Sequence, residues 1–208
     1  MTTIDLLRRY HRSQTNMIKV LRYRGYTVPD GPSPDDFCSR YSQMHLSALK
    51  KDLFMDYQTI SSSHLPKIIV VWLNEPKLGA NIRDLYDLLK DAKRALVVVD
   101  ESVTPQARET IKSLHITEKI FIDVWTLDET MIFVPDHELV PKHRICSTQE
   151  KILVFDAYGL KNGSKIPRIK TDDIMVRYLG ACKDQLLEIT RPSETHSGQF
   201  DLTYRLVQ

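Results

Sequence analysis

Three cysteines in 208 residues, at positions 38, 146 and 182, are too few and too scattered for a C-x-x-C pair, and their count is odd. Neither a disulfide framework nor a structural zinc is expected, and the thiols are expected to be reduced. Glycine is scarce too. Gly25 and Gly79 stand alone, so no glycine-rich loop is available to cradle a phosphate. The longest apolar run covers only residues 68–73, far short of a bilayer span, and Asp5 sits where a signal peptide would be apolar. No export or membrane insertion is expected. An excess of one charge is also missing: 29 Lys+Arg face 27 Asp+Glu, a net +2. Residues 142–208 hold 11 basic against 8 acidic side chains, which leaves 18 against 19 for residues 1–141. Phosphate neutralisation supplies most non-specific affinity for nucleic acid, so a protein living on naked DNA would be more basic. Any DNA contact is expected to be auxiliary. The elements of catalysis are sparse as well. Of seven histidines only His137 and His143 are close, without an H-E-x-x-H or Cys/His cluster, and hydrogen-bonding roles are expected for them. Ser193 precedes an acid where a nucleophile elbow needs glycine.

What is present, 42% hydrophobic and 27% charged residues, fits an intracellular globular chain of one or two domains. Residues 4–26 read as a long helix with Thr3 as N-cap, closed by Gly25 and Pro29. At helical spacing Leu7, Tyr10, Met17, Ile18 and Leu21 share one side, and Arg8, Arg12, Lys19 and Arg22 the other. The charged side suits solvent, an acidic partner or a phosphate backbone. Ser33 as cap, Pro34 in the first position, and Asp35 and Asp36 at the positive end of the dipole open a second helix.

Beyond Lys51 the pattern becomes α/β. Strands are expected over 54–60, 68–73, 95–99, 120–125 and 131–134, with helices over 82–90 and from Thr104-Pro105. Continuous Ile/Val/Leu runs suit strands buried on both faces and paired in parallel. Residues 137–144 read as a connection between units. Ser147-Thr148-Gln149-Glu150 forms a capping box for a helix reaching 158, closed by Gly159 and Gly163. A short helix over 172–179 and strands over 185–190 and 200–207 complete a compact α+β module.

The most enzyme-like constellation is Asp52 or Asp56 followed by Glu75-Pro76-Lys77. Carboxylates there suit Mg²⁺, and a lysine two residues after the Glu suits activation of the attacking water. Pro76 is awkward inside a strand, and E-x-K occurs widely by chance. A Mg²⁺-dependent nuclease therefore stands as an alternative reading, as does an independent DNA-binding module with steep salt dependence. The start Thr104-Pro105-Gln106-Ala107-Arg108 offers free amides to an anion, although most such caps are only structural.

The tail is the most distinctive part of the chain. It runs Ile166-Pro167-Arg168-Ile169, then Asp173-Ile174-Met175-Val176-Arg177-Tyr178 and Gly180, then Arg191-Pro192-Ser193-Glu194-Thr195 and Thr203-Tyr204-Arg205-Leu206-Val207. Three other stretches accompany it: Arg24-Gly25-Tyr26; Arg94-Ala95-Leu96-Val97-Val98-Val99 leading to Thr104-Pro105-Gln106-Ala107; and His137-Glu138-Leu139-Val140-Pro141. Together they resemble the fifth subunit of eukaryotic RNA polymerases, whose C-terminal part is similar to a small subunit of archaeal RNA polymerase.

The resemblance implies a non-catalytic subunit of a nuclear DNA-directed RNA polymerase, without cofactor or metal, without membrane contact and not a homo-oligomer. Residues 1–136 would form a restriction-endonuclease-like jaw domain beside downstream double-stranded DNA. Residues 137–208 would form an α+β assembly domain docked on the largest catalytic subunit, among other polymerase subunits. Glu75-Pro76-Lys77 then becomes part of the fold. Thr104, Pro105, Gln106 and Arg108 become the DNA-contact candidates. The interface candidates are His137, Glu138, Leu139, Val140 and Pro141 in the connection, Arg168, Arg177 and Tyr178 in the middle, and Arg191, Pro192, Ser193, Glu194, Thr195, Tyr204 and Arg205 in the tail. Arginine forks make paired, charge-assisted bonds, so Arg168, Arg177, Arg191 and Arg205 are expected both to brace their own sheet and to anchor a partner, with Glu194 as a candidate internal mate. The chain departs from the family pattern in a longer loop at 196–202, in Asp173-Ile174 and in Lys183-Asp184.

Overall fold

A computed structural model describes residues 3–53, 55–57, 66–73, 77–78, 92–160, 165–193 and 199–208. The chain divides into two compact units, Met1–Ile132 and Phe133–Gln208.

The first unit begins with α1, Thr3–Tyr23. Thr3 is itself helical, so it is not the cap. The helix stops three residues earlier than its periodicity predicts, because Gly25 takes φ 91°. Its amide donates to Arg22 O at 2.9 Å and that of Tyr26 to Leu21 O at 3.0 Å, the paired bonds of a left-handed C-terminal cap. The predicted apolar stripe is buried, and Arg8, Arg12, Lys19 and Arg22 are exposed. Ser13 and Asn16 interrupt the stripe yet are buried, each with a partner: Trp72 Nε1 donates to Ser13 Oγ at 2.9 Å, and Asn16 Nδ2 donates to Thr130 O at 2.7 Å. α2, Pro34–Tyr41, starts at Ser33, whose side chain accepts from the Asp36 amide. α3, Leu46–Asp52, has no counterpart among the elements expected from sequence; its seven residues are too few to display a period.

Four strands form the sheet of this unit in the order β1-β2-β4-β6. β2 (Ile68–Trp72), β4 (Arg94–Val99) and β6 (Phe121–Thr126) run parallel, and β1 (Met55–Tyr57) joins β2 antiparallel. β2 is buried throughout and β4 almost so, as their uninterrupted aliphatic runs require. A two-residue parallel pair, β3 (Lys77–Leu78) with β5 (Ser102–Val103), lies just ahead of α4, Pro105–Glu118, which crosses from β4 to β6. Ile69, Val71, Val97, Val99 and Ile122 gather with Leu78 and Ala107 into one core. The helix expected over 82–90 lies outside the described residues. The strand expected over 131–134 is replaced by 3₁₀ turns at Glu129–Met131 and Val134–Asp136. Thr130 turns inward instead of extending, its Oγ1 donating to Leu127 O at 2.7 Å, and Pro135 has no amide for a ladder.

The second unit is a sheet in the order β7-β9-β10-β8. β9 (Leu186–Pro192) and β10 (Phe200–Val207) form an antiparallel hairpin. β7 (Lys142–Ile145) pairs antiparallel with β9, and β8 (Arg168–Ile169) parallel with β10. The segment expected as a connection over 137–144 therefore ends in a strand, and Arg168–Ile169 is a second strand too short to read from sequence. Each face of this sheet carries a helix, and period-2 alternation sorts its residues between them. Leu186 and Leu206 point to the side of α5 (Thr148–Ala157) with Cys146, Val154 and Phe155. Leu187 and Val207 point to the side of α6 (Ile174–Leu179) with Ile145, Ile169 and Val176. The capping box at Ser147 and Glu150 forms as expected.

Candidate subunit interface and nucleic-acid contact

One rung crosses three strands of the second unit. Arg144, Glu188 and Tyr204 lie directly opposite one another. The Arg144 fork donates Nε to Glu188 Oε1 at 2.8 Å and Nη2 to Oε2 at 2.9 Å. Its third nitrogen, Nη1, donates to Glu150 Oε1 at 2.8 Å, and Tyr204 OH donates to Glu188 Oε2 at 3.2 Å. These carboxylates raise the Arg144 pKa, Glu188 foremost. The Ser147 amide and then Arg144 hold Glu150 below the usual carboxylate value. Arg144, which was not among the tail arginines, makes an internal brace of the kind expected of them. Sequence could not single it out, because pairing with Glu188 depends on strand register.

The opposite face of the same sheet is covered by α6 only in part. A groove of about 590 Å³ is lined there by Leu139, Val140 and Pro141 of the turn, by Arg168, Lys170 and Asp172, by Ile174 and Met175 of α6, and by Ile189 and Arg205 of the sheet. Residues 137–141 form an ordered turn, with Val140 N donating to His137 O at 2.9 Å and Leu139 N to His137 Nδ1 at 3.2 Å. Glu138 is exposed, and Leu139 is 84% exposed. Arg168 and Arg205 are exposed; Arg205 Nη1 reaches Arg168 O at 3.4 Å, and neither side chain has an ion pair among the described residues. Five of the expected interface residues therefore line one groove, together with His143, for which a hydrogen-bonding role was expected, and with Lys170, Asp172 and Ile189, which sequence did not bring forward.

The other expected interface residues lie elsewhere. Tyr178 is 1% exposed, its ring edge-on to Phe133 and its hydroxyl accepting from the Val134 amide at 3.3 Å, so it supports the surface from within. Arg177 is half-buried on α6, and Tyr204 is on the α5 face. Arg191 and Pro192 are exposed where the hairpin ends, and Ser193 N donates to Gln199 O at 2.9 Å. Glu194 and Thr195 lie outside the described residues.

In the first unit, the Thr104 turn is held at both ends. Thr104 N donates to Leu78 O at 3.1 Å, and its hydroxyl accepts from Ala107 N at 3.2 Å, capping α4. Pro105, Gln106 and Arg108 are exposed around it. Four residues upstream, Asp100 accepts from Tyr10 OH at 2.8 Å and from Lys50 Nζ at 2.6 Å. Lys50 is 2% exposed. Burial, and then the Asp100 bond, push the Tyr10 hydroxyl pKa up. Positions 10, 50 and 100 come from three elements, so nothing local marks them as a group.

Of the nuclease constellation, only the Asp52 side chain is among the described ones. Asp52 is engaged by Tyr41 OH and by Arg40 Nη2 at 2.9 Å, and the Tyr41 hydroxyl is pushed up to about 12 by burial and by Asp52. Asp56 lies opposite Ile69, and the backbone of Lys77 pairs with Ser102. Glu75 and Pro76 lie outside the described residues. No group of three or more His, Cys, Asp or Glu able to hold a metal ion occurs among the described residues.

Residues 132–207 match the family model of the RNA polymerase Rpb5 C-terminal domain. The chain is 35% identical over 142 residues to the Dictyostelium discoideum DNA-directed RNA polymerases I, II, and III subunit rpabc1, covering 67% of this chain and 71% of that protein. It is 36% identical over 118 residues to the Caenorhabditis briggsae subunit RPABC1, covering 57% of this chain and 54% of that protein. An Arabidopsis thaliana DNA-directed RNA polymerase subunit 5-like protein 1 is 26% identical over 208 residues, 97% and 96% of the two chains.

Proposed function

The chain belongs to the family of the fifth subunit of eukaryotic RNA polymerases, and from that premise we propose how it serves the enzyme. It is a structural, non-catalytic component of DNA-directed RNA polymerase, and its partners are other polymerase subunits. Within the enzyme, in the nucleus, residues 137–208 dock on the largest subunit as an assembly domain. Residues 1–136 act as a jaw of restriction-endonuclease-like fold beside the downstream duplex, with the Thr104-Pro105-Gln106 turn and Arg108 nearest the phosphates.

One observation carries this reading: the stretch that matches the family model, 132–207, coincides with a compact unit, Phe133–Gln208, that has its own two-sided core and an exposed groove built from family motifs. The near-balanced charge of residues 1–141 favours a jaw positioned by its neighbours over a free DNA binder. Affinity purification of the tagged chain tests the proposal. The large polymerase subunits should be recovered with it, and deletion of residues 142–208 should abolish that recovery. Isolation of the intact chain only as a free monomer would overturn it.

A further inference from the structure

We propose that Tyr10 on α1 and Lys50 on α3 are positioning residues for the Thr104-Pro105-Gln106 turn, which they orient through the carboxylate of Asp100. The inference rests on the reading above that this turn faces the downstream duplex, and it names the side chains that aim it.

The partners of the buried polar groups of α1 lead to this role. Tyr10, Ser13 and Asn16 recur every three residues along its buried side, and each bonds at the carboxyl end of a different strand. Tyr10 OH donates to Asp100, one residue past β4, at 2.8 Å. Ser13 accepts from Trp72, the last residue of β2, at 2.9 Å. Asn16 donates to Thr130 O, in the 3₁₀ turn after β6, at 2.7 Å. The helix thus lies at the edge where an open parallel sheet ordinarily holds its ligand, and its bonds go to the loops of that edge. The loop after β4 is the one that leads to Thr104. On the way it forms β5, which pairs with β3 in a ribbon separate from the four-stranded sheet. Thr104 donates to Leu78 O from its amide at 3.1 Å and from its hydroxyl at 3.2 Å. Those bonds join turn and ribbon, so they fix the shape of the pair without orienting it on the sheet. Leu78 and Ala107 seat it in the core, a contact without direction. Direction comes from Asp100, whose two oxygens are held separately: Oδ1 by Tyr10 and Oδ2 by Lys50 Nζ at 2.6 Å. Lys50 is 2% exposed, and its ammonium lies 5.7 Å from the centre of the Tyr10 ring, so the three groups also hold one another. A buried ion pair often adds little stability over apolar packing of the same volume. Its charged hydrogen bonds have a defined geometry, which a loop aimed at a partner requires.

The test uses the whole polymerase purified through the tagged chain, with a photo-crosslinking residue in place of Gln106 and a labelled downstream duplex. With no other change, position 106 should link to the DNA. Lys50→Met and Tyr10→Phe should each lose most of that crosslink. Tyr10→Phe keeps the buried ring, so it carries the test even where Lys50→Met fails to fold. Asn16→Ala is the contrasting variant: it removes a bond of the same helix to a different strand end, and should leave the crosslink in place. Hydrogen exchange of the purified full chain supplies a second reading. The Thr104 and Ala107 amides should exchange about tenfold faster in Lys50→Met than in the wild type, and no faster in Asn16→Ala. If both Tyr10→Phe and Lys50→Met keep the crosslink, the positioning role falls while the DNA reading of the turn stands. If Asn16→Ala loses it equally, general loosening of the unit explains the effect and the proposal is overturned. If position 106 links to no DNA in the otherwise unaltered chain, the reading of the turn fails, and this inference with it.

Discussion

At the residue scale, the first unit depends on charges buried where the elements meet. Lys50 lies under α1 with its ammonium on Asp100, and the same carboxylate takes the Tyr10 hydroxyl. Removing one member of a buried pair strands the other. Lys50→Met should therefore cost about 3 kcal/mol in urea unfolding of the purified chain. The double variant Lys50→Met/Asp100→Asn should be less destabilised than the sum of the singles, with a coupling of about 1–3 kcal/mol. Additive singles would show that the pair does not act as a unit. In the second unit Glu150 has a folded pKa below its ordinary value of 4.5. A depressed acid stabilises the fold fully above its unfolded pKa and loses that contribution as pH falls through the folded value. The stability gap between the wild type and Glu150→Gln should be constant near neutrality and close below pH 4.5. Denaturation midpoints collected along a pH series would show whether it does.

The elements owe their ends to a few backbone positions. α1 ends at Gly25, whose φ of 91° lies in a region that costs an L-residue about 1–2 kcal/mol. Gly25→Ala should lose about that much stability, read from the shift in melting temperature. The cap also sets the direction in which the chain leaves the helix: Arg24 reaches Asp123 on β6 at 2.7 Å, and Tyr26 OH donates to Pro66 O at 2.7 Å. The Arg24-Gly25-Tyr26 motif is thus a joint between the first helix and the sheet. In the second unit, the two faces of β9 and β10 have separate roles. The α5 face carries the internal brace of Arg144, and the α6 face leaves Arg205 exposed.

For the molecule as a whole, the division into Met1–Ile132 and Phe133–Gln208 separates a parallel-sheet unit from one built on a hairpin. The second has cores on both sides of its sheet, an arrangement that lets a small unit bury enough apolar surface to hold together. Residues 133–208 expressed alone should unfold in a single cooperative urea transition. Ending that fragment at residue 198 removes β10, which pairs with both β9 and β8, and should abolish the transition. A fragment indifferent to the loss of β10 would contradict this view of the unit.

Sequence alone determined the parts whose causes lie within a few residues. Ser33, Thr104 and Ser147 cap their helices as their side chains dictate, the stripe of α1 follows its 3.6-residue period, and the aliphatic runs at 68–73 and 95–99 became buried parallel strands. The family motifs of the tail were legible for the same reason: they are contiguous. Short elements were not, because α3, β7 and β8 have too few residues to repeat a pattern. Nor was the turn at Thr130, where an inward hydroxyl bond outweighs β propensity. Only the tertiary structure decided which charges meet. Arg144 finds Glu188 through the register of β7 on β9, and Lys50 finds Asp100 through the packing of α3 on the sheet. Leu139, Arg168 and Arg205 come to line one groove because two strands and a turn converge beside α6, and that distant pairing is where the candidate site arises.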